Sequence, residues 1–114
     1  MILDITTGRI VAYVPVLFLN EVASACARAV RGGRIDRATA EAFFTLLADA
    51  PIGLQVEIIA PGDWFERSMK WGCQVADSAY LALAIDMKLP IATTDKGLMT
   101  AARTLKVSLY TVTG

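Results

Sequence analysis

Ala76-Asp77-Ser78-Ala79-Tyr80-Leu81-Ala82-Leu83-Ala84-Ile85-Asp86-Met87-Lys88-Leu89-Pro90-Ile91-Ala92-Thr93-Thr94-Asp95 holds the pattern that decides the fold. Asp77 opens a helix over residues 78–88 whose Ala79, Tyr80, Leu81, Leu83, Ala84 and Ile85 leave almost no polar face. Such a helix is buried on several sides. Leu89-Pro90 ends it, because proline restricts the residue before it to extended backbone. Residues 90–94 read as a short strand. Asp95 then opens a last helix to about Leu105, with Leu98, Ala101, Ala102 and Leu105 facing inward. Buried helix, strand and helix in this order imply parallel strands joined by helical crossovers.

The flanks repeat the alternation. Residues 10–14 form an apolar, β-rich run that ends at Pro15. A helix over about 16–30 follows, with Leu19, Val22, Ala23, Cys26, Ala29 and Val30 as its core stripe. Gly32-Gly33 stops it. Asp36 caps a helix over about 37–49, in which Ala40, Phe43, Phe44 and Leu47 share a face. Residues 54–59 are a second strand. Pro61-Gly62-Asp63 opens a third helix, with Glu66 completing a capping box on Asp63, and Gly72 breaks it after Trp71. Residues 107–112 are a final strand. The expected architecture is a single α/β domain over residues 1–114, in three layers with a mostly parallel sheet.

Composition narrows the chemistry. The chain has 114 residues, 55% hydrophobic and 19% charged, which is globular and not disordered. Lys+Arg and Asp+Glu balance at 11 each, so no overall basic field draws in nucleic acid. Histidine is absent, which excludes histidine bases, histidine nucleophiles and His-rich zinc sites. Cys26 and Cys73 form no CxxC pair and read as reduced core thiols. No apolar run reaches the ~18 residues of a membrane span, and no signal peptide stands at the start, so a cytoplasmic protein is expected.

In open parallel sheets, ligands bind beyond the carboxyl ends of the strands. Three acids follow strands or open helices there: Glu21, Asp77 and Asp95. Two readings stand for each. Asp77 and Asp95 suit helix caps, and Glu21 suits a helix dipole. All three also suit a metal site, and a cap needs only one carboxylate oxygen. Arg28, Arg31 and Arg34 read as an exposed helix end or a phosphate-binding flank. Trp64 and Trp71, seven residues apart, read as packing and not as base-stacking residues.

Three segments resemble the motifs of the PIN-domain family. Val14-Pro15-Val16-Leu17-Phe18-Leu19-Asn20-Glu21-Val22-Ala23 is similar to its strand and proline before an acidic helix. The 76–84 segment resembles its aspartate before an Ala/Leu-rich helix. Pro90-Ile91-Ala92-Thr93-Thr94-Asp95-Lys96-Gly97-Leu98 resembles its strand ending in Thr-x-Asp. The match covers roughly residues 9–112. The resemblance implies a Mg²⁺- or Mn²⁺-dependent endoribonuclease, like the toxin of a bacterial toxin–antitoxin pair. Its metal ligands and catalytic residues would be Glu21, Asp77 and Asp95, its substrate RNA and its partner an antitoxin protein.

The departure is at the N-terminus. The family begins with a central strand ending in an aspartate. Asp4 has only residues 5–9 before the next strand, too few for a parallel crossover. Residues 1–8 read instead as the tail of a helix stopped by Gly8, which leaves the first strand, a helix and one aspartate missing. Bare inner edges would then drive formation of a homodimer or higher oligomer. A weakened nuclease is the leading expectation. The alternatives are a non-catalytic PIN-like module for antitoxin binding or self-association, and an unrelated flavodoxin-like α/β domain with capping acids.

Overall fold

Local signals set most helix boundaries in the computed structural model, which describes residues 1–4 and 11–110. The elements are β1 (Ile2–Asp4), β2 (Val11–Pro15), α1 (Leu17–Arg31), α2 (Arg37–Asp49), β3 (Ile52–Gln55), α3 (Pro61–Trp71), α4 (Val75–Met87) and α5 (Lys96–Thr104). The α/β class is as expected. The chain divides into two compact units, one of Met1–Pro15 with Ile52–Gly114 and the other of Val16–Pro51.

The smaller unit is a pair of helices. Asp36 caps α2 by accepting the Thr39 N–H at 2.7 Å. The Thr39 hydroxyl, together with that bond, holds the Asp36 carboxyl below its usual pKa of 3.8. Arg28 and Arg31 fall in the last turn of α1, where cations complement the helix dipole. The expected core stripe of α1 is corrected: none of its residues is buried, and Leu19 and Ala23 are exposed. On α2 only Ala40 is buried, while Phe43 and Phe44 are exposed. Two helices share a single interface, which is narrower than the apolar stripes they carry.

The larger unit holds the sheet, which is mixed where a mostly parallel one was expected. β2 and β3 are parallel, with Ala12 opposite Ile52 and Pro15 opposite Gln55. Gly53 is required there, since a Cβ would stand 2.7 Å from the Tyr13 ring. β1 pairs with β2 antiparallel, Ile2 opposite Tyr13 and Asp4 opposite Val11. Expecting a helix tail over residues 1–8 was therefore wrong for Ile2–Asp4; Gly8 lies outside the described residues. The connection is too short to cross over, so the chain turns back as a hairpin.

β1 occupies the centre of the array. On its far side Ile2 bridges Ile91, and Ile91 bridges Leu109 in parallel. The Leu3 N–H donates to the Pro90 carbonyl at 3.1 Å, and Ile91 N–H to that of Ser108 at 2.9 Å. The inner edges expected to be bare are thus paired, by a strand running in reverse. The strands expected over 90–94 and 107–112 reduce, among the described residues, to these bridges. β3 also stops short of residue 59, because its partner β2 ends at Pro15.

α4 is the core helix. Ser78, Ala79, Tyr80, Leu81, Ala82 and Ala84 are buried, Leu83 is half-buried, and Ile85 is exposed. The buried Ser78 hydroxyl donates to the Val75 carbonyl at 2.6 Å, which satisfies it. The helix starts at Val75, with Gln74 and not Asp77 at the cap position. Likewise α3 starts at Pro61, and the expected capping box on Asp63 is absent: Asp63 lies inside the first turn, its N–H on the Ala60 carbonyl at 2.9 Å. Leu98, Ala101 and Ala102 of α5 are buried as expected, and Leu105 is half-buried.

Candidate functional site

Asp95 follows the Ile91 segment, which runs in the same direction as β2, so it lies at the edge where β2 and β3 end. Its Oδ1 accepts the Leu98 N–H at 2.8 Å and caps α5, and its own N–H donates to Thr93 Oγ1 at 3.0 Å. Gly97 keeps room for this carboxylate, since a Cβ there would stand 3.2 Å from Oδ1. The cap uses Oδ1 and leaves Oδ2 for a ligand, so the two readings of Asp95 coexist.

Asp77 lies in the first turn of α4. It and Asp95 line one open cleft of about 680 Å³, together with Ser68, Met69, Gly72, Cys73, Gln74 and Gly97. Gly72 adopts a left-handed conformation (φ 62°) that ends α3 and turns the chain toward α4. That turn puts residues 72–74 on the cleft wall. The Ser68 hydroxyl, donating to the Cys73 carbonyl, ties the turn to α3. Burial and the negative charge of Asp77 push the Cys73 thiol above its usual pKa of 9.0. Cys73 was expected in the core; it is a free, half-buried thiol on the cleft.

Glu21, the third predicted acid, is exposed on α1 in the smaller unit, beyond the first helical turn. Asp4 stands opposite Val11, where β2 begins, and so lies at the other end of the sheet from Asp95. Sequence reasoning missed Ser68, Met69, Cys73, Gln74 and Gly97; Gly72 was read as a helix break but not as the wall of a site.

Among the described residues, no group of three or more His, Cys, Asp or Glu side chains gathers closely enough to hold a metal. The cleft itself presents two carboxylates and open space. That donor set fits Mg²⁺, which binds through one or two carboxylates and keeps several of its waters.

The tryptophans serve packing. Arg67 lies 4.9 Å from the Trp64 ring and 5.6 Å from the Trp71 ring. It also grips Glu57 through both oxygens, at 2.7 and 3.0 Å. Arg28, Arg31 and Arg34 are exposed. No helix among the described residues is long and apolar enough to cross a membrane. No family model matches the chain, and no curated protein matches it at a significant level.

Proposed function

We propose that this chain is a PIN-type, metal-dependent endoribonuclease whose site is the cleft of Asp77 and Asp95. One observation carries the reading: two aspartates 18 residues apart in sequence (77 to 95) line a single cleft at the carboxyl edge of the sheet. Asp77 and Asp95 Oδ2 are the proposed ligands of a Mg²⁺ or Mn²⁺ ion. The bound ion would activate water and offset charge on the phosphate. The start of α4 carries no side-chain cap, so the N–H groups of Val75 and Ala76 suit a phosphate oxygen. The Gln74 amide on the same wall can donate to another. Asp4, at the far end of the sheet, adds nothing to this set, and weak activity is expected. The proposed setting is the cytoplasm, as the toxin of a toxin–antitoxin pair.

Asp95→Asn is the sharpest test, because asparagine still caps a helix while losing the charge. Mg²⁺- or Mn²⁺-dependent cleavage of single-stranded RNA should fall at least ~100-fold in Asp95→Asn and in Asp77→Asn, about the scale seen when a metal site's support is lost. The Cys73 alkylation rate gives a readout independent of activity. Mg²⁺ at Asp77 should raise it, since the ion offsets the charge that holds the thiol protonated. A folded protein that neither cuts RNA nor changes its Cys73 rate with metal sinks this reading.

A non-catalytic PIN-like interaction module is the second reading. Exposed Phe43, Phe44 and Leu46 on α2 favour it, as apolar surface for an antitoxin-like protein. A tight complex with such a protein, in the absence of any cleavage, would select it.

A further inference from the structure

Leu54-Gln55-Val56-Glu57-Ile58 alternates apolar and polar residues without a break, which is the pattern of a strand with one apolar face. β2 supplies a partner only as far as Gln55. Val56 and Ile58 therefore carry strand sequence with no strand beside them among the described residues. Their apolar face is open as well: Leu54 is 47% exposed, Val56 72% and Ile58 92%. Among the described residues β3 is also the last strand of its sheet, so no ladder runs along its outer backbone edge. An unpaired edge and a bare apolar row call for another β-strand, which satisfies both at once.

The register shows which strand fits. In an antiparallel pair of two copies centred on Val56, Val56 meets its own counterpart. Leu54 then faces Ile58, and Gln55 faces Glu57, since each pair of numbers sums to 112. Directly opposite residues share a face of the sheet. All apolar side chains thus meet apolar side chains, and each Glu57 meets an amide and no second carboxylate. Glu57 is in addition neutralised and held by Arg67, which pins this segment to α3 of its own copy. A two-fold axis through Val56 produces this pairing, as an isologous dimer requires. We infer that the 54–58 segment of two copies pairs antiparallel about Val56 and joins their sheets into one dimer. The inference is independent of the acid cleft and places self-association at the outer edge, not at the sheet centre.

Sedimentation equilibrium of the full chain should show a concentration-dependent monomer–dimer equilibrium. Val56→Lys puts two like charges on the axis and should weaken association by roughly tenfold or more. The site is exposed, so circular dichroism and the melting temperature should stay as in the parent. In a Cys26→Ser, Cys73→Ser background, Val56→Cys should form a disulfide-linked dimer under mild oxidation. Gln55→Cys alone should not, because position 55 does not face itself. A chain that stays monomeric up to roughly 0.1 mM overturns the proposal, and so does a dimer that Val56→Lys leaves intact. Cross-linking at 55 but not at 56 would overturn the register.

Discussion

Helices α1 and α4 share a composition rich in alanine and aliphatic residues and differ in how it is arranged, in one stripe on α1 and nearly all round α4. Of the two, α4 buries six side chains and α1 buries none. α4 lies in a unit that packs sheet strands and α3 around it, whereas the unit of α1 contains one other helix. Apolar content states what a helix is able to bury. The number of surfaces its neighbours present decides how much of that is realised.

Truncating each helix sharpens the contrast most. Leu81→Ala, at a fully buried position of α4, should cost about 2–5 kcal/mol by denaturant titration. Leu19→Ala, on the exposed face of α1, should cost about 0.5 kcal/mol or less. Equal costs would break the comparison. The next effect is in the caps: Asp95→Ala should remove about 1 kcal/mol of global stability, because α5 contributes Leu98, Ala101 and Ala102 to the core. Asp36→Ala should instead speed hydrogen exchange within α2 and leave the global midpoint nearly unchanged.

Thiol chemistry reports on a smaller scale. Asp77→Asn should raise the Cys73 alkylation rate at pH 8 by roughly twofold to threefold, by removing the charge that disfavours the thiolate. The smallest effect is a pH dependence. Asp36 has a lowered pKa in the folded chain, so its contribution is present above 3.8 and lost as pH falls through the folded value. Amide exchange in α2 should therefore loosen selectively under acid, and Asp36→Asn should abolish that selectivity.

Much of this architecture was legible because single residues announce it. Asp36 and Asp95 cap the helices they were read to cap, and Pro61 and Gly72 bound α3. The misreadings arise where no local residue marks a boundary or where the outcome depends on partners distant in the chain. Asp77 reads as a helix start because nothing local marks Gln74, whose side chain makes no cap bond. Ile2–Asp4 is too short for a period to show, and only the brevity of the following connection makes it a hairpin. The strand pattern at 54–59 is real in sequence, but its length in the fold is set by where β2 stops. Of the candidate site, Asp77 and Asp95 were legible as acids beyond strand ends. Cys73 and Gln74 were not, because a left-handed turn at Gly72 brings them to the cleft.

The reversed central strand has a consequence for how the protein is made. Ile2–Asp4 and Val11–Pro15 leave a ribosome close together, so their antiparallel pairing can close early. The other side of Ile2–Asp4 must wait for Ile91. At typical rates of synthesis that interval is on the order of ten seconds. Through it the hairpin presents an open strand edge with Ile2 and Leu3, both later buried, beside it. The middle strand of the finished sheet is thus the one whose second neighbour arrives late, and the nascent chain must keep that vacancy from being filled by another molecule.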